Sequence, residues 1–528
     1  MRAMNMKNAI LKTQLLLATV VTLTLLLTPS AFAAAPGITG PIFNLTAQSA
    51  FLSQPDGSFV YSWGYGCNGG PAGYAPAAIA TRFCSSMQVP GPTLIVTQGQ
   101  TVTVNLTNNL PNAAGNTSIL FPGFDVTASG GVAGLLTREA APGGGTVTYT
   151  FTASTPGTRS YYSGTQGDLQ VEMGLYGAVI VVPSSANIPT ACTTGIHASN
   201  VTAQSSSSLA HPGVTERNFR LAAAAYNHAG ACYDREFLFQ FSEIDPRIHR
   251  QAEEQSTRAC TGCMNVATEP YVPAYFMVNG RSMPDLMDPN YAPEYPHQPY
   301  NGNPHMHPGE LVLLRIIGQG RWQHPFHEHG NHVRILARDG NLLVSATDAT
   351  SLAGPLLFTT TTTPGQTMDG IYYWTGKGLN WDPYGHNAAS GSTLPCNADS
   401  NGYNTGAPTA INYFEWCQDH NKPLQVSPTG DVAGGGPATL PDPNIFANGA
   451  WFGGSPYLGP EATVRAVGST GTTPPSGTVA NSPTDEAGFA FMWHSHNERE
   501  ITTNNIFPGG MMMMMLVDSR EFVIDEQN

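Results

Sequence analysis

Fifteen histidines are spread unevenly along this chain of 528 residues, and two groups of them have the spacing of metal ligands. One is His324-Pro325-Phe326-His327-Glu328-His329-Gly330; the other is Trp493-His494-Ser495-His496. In an extended strand, residues i and i+2 point to the same face. His327 with His329, and His494 with His496, can therefore each present two imidazoles side by side. Two such pairs on facing strands supply four nitrogen donors, enough for Cu(II), Zn(II) or a similar ion. One His-x-His alone says little, whereas two in one half of a chain mark a metal site or its ancestry. Glu328 and Glu498 are carboxylates close in sequence to these imidazoles, and Glu498 is the candidate proton carrier. None of the histidines falls between residues 40 and 183.

Holding such pairs in register requires strands, and the composition agrees. The chain has 57 Gly, 42 Pro and only 11% charged residues, which disfavours helical bundles and coiled coils. A net charge of −14 offers no basic patch for phosphates, so nucleic acid is excluded as a partner. At 41% hydrophobic the chain can bury a core. In the first half, residues 93–97, 101–105 and 146–152 alternate as half-buried strands do, and 176–182 is a near-continuous apolar run. In the second half, 237–241, 275–278, 311–317, 332–337 and 489–493 read as strands, and the threonines at 359–363 as a β-branched one. The expected organisation is an N-terminal β domain at 40–183, a Ser/Thr-rich linker at 184–217, and a C-terminal β domain at 218–528. The last carries a long Gly/Pro-rich insertion at about 377–486.

Residues 1–33 read as a secretory leader. Arg2, Lys7 and Lys12 precede an apolar stretch at 15–27, which is followed by Ala31-Phe32-Ala33. No later stretch is as apolar, so the mature chain is expected to lack a transmembrane segment and to be secreted, periplasmic or on the cell surface. All eight cysteines follow the leader, an even count that fits disulfides. Cys67 with Cys84 and Cys396 with Cys417 are local candidates among many connectivities. Cys260-x-x-Cys263 reads as a structural bridge or, alternatively, as a redox or metal pair. His305-Met306-His307, with His297 upstream, lies in a Pro- and Asn-rich loop and reads as an isolated surface pair or a minor copper site. The methionine run at 511–515 reads as a buried terminal strand, since five adjacent residues cannot all face one ion.

The order of short motifs resembles the multicopper oxidase family. Pro90-Gly91-Pro92-Thr93-Leu94, then Gly99-Gln100-Thr101-Val102, then Gly174-Leu175-Tyr176-Gly177-Ala178 mark the first domain. Asn279-Gly280-Arg281, Pro308-Gly309-Glu310, the first histidine group, Pro364-Gly365-Gln366-Thr367-Met368-Asp369 and the second histidine group follow. The resemblance implies an all-β chain of two cupredoxin-like Greek-key β-sandwich domains. It also implies a blue copper held by Cys and His and a three-copper cluster held by eight histidines. Carried over residue by residue, much of that ligand set is missing. Leu120 and Pro122 stand where the first cluster pair should be, and Tyr162 and Gly164 where the second should be. At the blue site Ser495 replaces the cysteine and Glu500 a histidine; His324 keeps one ligand, and Met511 lies near the axial position. A serine hydroxyl cannot replace the soft thiolate of a blue site.

What remains is a metal set of His324, His327, His329, His494 and His496, with Tyr161 or Tyr162 available to face it from the first domain. The expected function is an exported copper-binding protein like a multicopper oxidase, with a single copper ion or alternatively zinc. If it is an enzyme, it is a copper-dependent oxidoreductase acting on a small redox molecule or metal ion without the usual four-copper pathway. The alternative is a non-catalytic cupredoxin scaffold used in extracellular interactions. The histidine-free first domain fits that alternative, or an oligomer or partner chain that completes the site.

Overall fold

In the computed structural model, residues 35–76, 83–204, 216, 218, 220–378, 395–410, 412–420, 454–458, 479–480, 487–518, 520 and 524 are described. The expected leader and most of the 377–486 insertion lie outside them.

Alternation builds the first sandwich. In β1 (Thr101–Asn108), Val102, Val104 and Leu106 are fully buried while the intervening threonines and asparagine are not. Strand β2 (Gly145–Thr152) pairs with it antiparallel, with Val147, Tyr149 and Phe151 facing the same core. They are the third and fourth members of a five-stranded sheet that also contains Phe59–Cys67, Ile42–Ser53 and Thr127–Gly130. The second five-stranded sheet contains β3 (Gly157–Tyr162) and β4 (Tyr176–Val182). Strand β4 is buried on both faces and runs parallel to Leu94–Thr97, as near-continuous apolar runs do in parallel pairs.

The second sandwich has two seven-stranded sheets. One contains β5 (Arg235–Ile244), which pairs parallel with β6 (Leu311–Gly318). The other carries both histidine groups, in the order His305–Met306, β10 (Met512–Asp518), β9 (Ala487–Ser495), β7 (His324–Glu328) and β8 (Thr359–Thr362). Phe239, Phe241, Phe326, Trp493, Met511, Met513 and Met515 meet in the core between these sheets. Each such side chain contributes roughly 1.5–3 kcal/mol by leaving water. The methionine run thus lies in and beside a terminal strand, as its composition implied.

The two sandwiches are locked together rather than strung on a tether. Asp369 accepts from the backbone N–H and hydroxyl of Thr158 (3.1 and 2.6 Å) and from the Tyr226 hydroxyl, and Arg315 Nη1 donates to Thr158 Oγ1 (3.1 Å). A helix at Pro246–Ser256, capped by Asp245 accepting from the Arg247 N–H, drives Ile248 and Ala252 into the core of the first sandwich. The stretch expected as a linker is partly helical. Along α1 (Gly195–Gln204), His197 and Asn200 bond to Asp234 (2.9 and 2.8 Å), and Gln204 bonds to Glu310 (2.9 Å). These buried partners, absent from any local pattern, order a segment whose composition alone reads as loop.

All eight cysteines are bridged, as Cys67–Cys84, Cys192–Cys232, Cys260–Cys263 and Cys396–Cys417. The Cys-x-x-Cys motif is therefore a disulfide. Among the described residues no helix is long and apolar enough to cross a membrane.

Candidate metal centre

Strands β7 and β9 are antiparallel neighbours, with His327 directly opposite His494. The two-residue period then brings His329 and His496 to the same face. Ring centroids lie 4.8 Å apart for His327 and His329, 5.6 Å for His327 and His494, and 4.9 Å for His327 and His496. The separation is 5.2 Å for His329 and His494, and 5.5 Å for His494 and His496. The structure therefore gathers four of the five expected ligands into one cluster.

Hydrogen bonds fix one nitrogen on two of these rings. His494 Nδ1 donates to the Ser495 carbonyl (2.7 Å), which leaves Nε2 with its lone pair; that atom is 3.3 Å from His329 Nε2. His327 Nδ1 bonds to Thr359 Oγ1 (2.8 Å) on β8. Pinning one ring nitrogen so that the other faces the ion is how protein metal sites orient imidazole. Two nitrogens about 2.0–2.1 Å from one ion at a tetrahedral angle also stand about 3.3–3.4 Å apart, so the His329–His494 pair has the separation that copper or zinc requires. Burial, with the neighbouring His329, His496 and His494, lowers His327 to a pKa of about 4, and burial also lowers His494. Both rings are thereby held neutral, the form that binds a metal. The cluster is open on one side, where the His496 side chain is 55% exposed.

His324, the fifth expected ligand, is placed elsewhere. It is fully buried, its Nε2 3.0 Å from Glu243 Oε2 and its Nδ1 2.9 Å from Glu500 Oε2. Burial alone would lower its pKa, but the hydrogen bonds and charges of Glu243 and Glu500 outweigh that and raise it to about 9. Ser495 Oγ donates to the same Glu500 oxygen and Asn497 Nδ2 to the other (2.8 Å). Met511 is buried beside them, bonded through its backbone N–H to the Glu500 carbonyl (2.8 Å). The residues expected at the blue site thus form an imidazolium between two carboxylates, a network with hard oxygen atoms and no lone pair free on His324.

Glu243 escaped the sequence reading; it lies in β5, where every residue is buried, but that strand also carries Arg235, Glu236, Gln240 and Ser242, so its carboxylate did not stand out. Thr359, which orients His327, had no distinguishing mark within its threonine run.

Glu498 is 78% exposed, with Oε1 3.8 Å from His496 Nδ1, at the open edge of the cluster. Glu328 points to the opposite face of β7, where burial raises its carboxyl to about 8 against a stabilising bond from Thr360 Oγ1. Neither tyrosine expected to face the site does so. Tyr161 is buried in the first sandwich, its hydroxyl donating to the Pro92 carbonyl (2.8 Å), and Tyr162 lines a cleft at the seam with Pro364 and Gly365. His307 is also buried rather than exposed: Nδ1 donates to the Asp518 carbonyl (2.8 Å) and Nε2 bonds to Glu216 (2.5 Å). His305 lies beside it, 3.5 Å from Asp518. Glu415, His420 and Cys396 also converge, but that sulfur is committed to Cys417.

Residues 80–186 match the family model described as multicopper oxidase. Curated proteins gave no match. Among solved structures, the chain is similar to the multicopper oxidase mgLAC and to the blue copper oxidase from Nitrosomonas europaea. Each is 16% identical with a TM-score of 0.43, over 90% of this chain and 85% of the other. It is also similar to the copper nitrite reductase from Nitrosomonas europaea, 19% identical with a TM-score of 0.37, over 63% of this chain and 84% of that one. The motif order and the matched segment coincide in the first sandwich, where residues 80–186 are similar to a multicopper oxidase domain.

Proposed function

We propose that this is an exported copper-binding protein of two cupredoxin units, 40–183 and 218–528, which holds a single metal ion on His327, His329, His494 and His496. The observation that carries this reading is the pair of Nε2 atoms of His329 and His494, 3.3 Å apart. The opposite nitrogen of His494 donates to a carbonyl, so its Nε2 can only accept. A bound copper would supply one-electron redox chemistry. The chain's own residues bind and orient: Thr359 and the Ser495 carbonyl set two of the rings, and Glu498 stands at the open edge, where it can hold or pass a proton. No blue-site thiolate is present to feed electrons to the ion, so any turnover draws its electrons from a small redox molecule or metal ion arriving at the open face.

His324 is outside this ligand set. Its nitrogens are both engaged by carboxylates, and it serves as a structural cation. The conversion of the blue site favours a second reading, a cupredoxin scaffold without catalysis. Metal analysis after copper loading separates the two, with zinc measured in the same samples. One copper per chain, lost in the double variant His494→Ala/His496→Ala, is the expected result. An absence of stoichiometric metal in the unaltered protein would leave the scaffold reading standing.

A further inference from the structure

The four positions at which the first sandwich lacks the imidazoles implied by its family resemblance, Leu120, Pro122, Tyr162 and Gly164, all line a two-lobed cleft at the seam. One lobe, about 310 Å³, is walled mainly by Leu120, Leu136, Val171 and Pro364. The other, about 360 Å³, shares the walls Tyr162, Pro364 and Gly365 with it and is lined by Arg159, Asp339, Gln366 and Thr367. Small-molecule sites generally have this form, a largely apolar cleft at a domain seam with a few polar groups at one end.

We propose that the cleft binds an uncharged amphipathic small molecule, with a flat two-ring body in the apolar lobe and a donor–acceptor head such as a primary carboxamide in the polar one. Size sets the body: a cavity of about 150 Å³ accepts one benzene, so the apolar lobe accepts about two rings. Chemistry sets the head. The Tyr162 hydroxyl and the Gln366 amide have no hydrogen-bond partner among the described residues, so a ligand that both donates and accepts can satisfy them.

Charge decides against ions. Arg159 is only 4% exposed, its Nη1 donates to the Thr155 carbonyl (3.1 Å) and its Nη2 to Thr155 Oγ1, and its Nε is buried without a hydrogen-bond partner. The carboxylates of Asp369 and Asp339 already act on its charge, so a ligand carboxylate would meet their repulsion as well. Asp339 at the mouth would repel one. Arg321, on the rim of the apolar lobe, is engaged by the Thr268 carbonyl (2.8 Å) and by Glu269 (2.6 Å). A cation would be drawn to Asp339 but would meet Arg159 deeper in. Leu136, 64% exposed and part of the apolar lobe's lining, gives that lobe an apolar lip that a ligand would cover.

Calorimetric titration of the full chain with naphthamide, naphthoate and naphthylmethylamine tests this. Naphthamide is expected to bind with Kd on the order of 0.1 mM, and both charged analogues at least about tenfold more weakly. Tyr162→Phe should weaken naphthamide about fivefold. Val171→Trp, which fills the apolar lobe, should abolish binding with circular dichroism unchanged; if that variant does not fold, Leu136→Trp on the rim serves the same purpose. The His494→Ala/His496→Ala variant should bind naphthamide as the unaltered protein does, since the cleft is separate from the metal centre. Naphthoate binding more tightly than naphthamide, binding that survives a filled lobe, or no saturable binding of any probe would overturn the proposal.

Discussion

Alkaline pH should release the His324 clasp, and the size of the effect follows from its surroundings. In the folded chain this imidazole keeps its proton to about pH 9, against 6.5 for the free side chain. At about 1.4 kcal/mol per pH unit, that difference is worth about 3 kcal/mol of stability. The folded value is the higher one. The contribution is therefore fully present below pH 6.5 and disappears as the pH rises through 9. Urea unfolding of the unaltered protein should show the loss concentrated between about pH 7 and 10. Replacing one partner, Glu500→Gln, keeps the shape and one acceptor oxygen for the donors Ser495 and Asn497 but removes a charge 2.9 Å from Nδ1. Losing an opposite charge at that range moves a pKa by about 1–3 units, so the loss of stability should begin at least about one pH unit lower. Imidazole NMR signals assigned through His324→Gln would report the same titration directly. A His324 signal titrating near 6.5, or an unchanged onset in Glu500→Gln, would refute the assignment of an imidazolium clasp.

Other outcomes follow from neighbouring residues. Copper-loaded Ser495→Cys should show no intense blue absorption while Glu500 still clasps His324, and the Ser495→Cys/Glu500→His chain should gain it; visible spectra decide. Glu328 titrates at about 8 instead of 4.5 because it is buried, so its ionisation penalises the folded state increasingly above pH 4.5. Glu328→Gln should therefore raise the thermal midpoint at pH 7, by up to about 3 kcal/mol of stability, and change nothing at about pH 4. Of the four disulfides, Cys260–Cys263 spans only 3 residues and its Cys260 is exposed. Alkylation mapping under mild reductant should find it opened first, at a stability cost of about 2 kcal/mol against about 4 for Cys192–Cys232, which spans 40 residues.

Period-two alternation made Thr101–Asn108 and Gly145–Thr152 legible, because one face of each strand meets a core and the other does not. The four-imidazole cluster was legible for the same reason, since His-x-His on two strands becomes a cluster as soon as the strands pair in register. His324 was misplaced because motif spacing records which residue stands where a ligand stood. It does not record that Glu243, 81 residues away, had arrived to bind the ring. Tyr162 failed similarly: its strand position was right, but the loop carrying Pro364 and Gly365 claims its surroundings. The helix Gly195–Gln204 was hidden because its buried face is polar and depends on Asp234 and Glu310, partners far along the chain.

The pairing of β7 with β9 also sets a schedule. His329 and His494 are 165 residues apart in sequence, and β9 is flanked by the still later β10. A growing chain therefore carries only half of the donor set until nearly all of the second sandwich has been synthesised, and the complete cluster appears in one late step. Metal offered earlier meets a two-imidazole site of low affinity. Any ion held as proposed would be the one available where and when the last strands dock, so the compartment of final folding, rather than that of synthesis, would choose the metal.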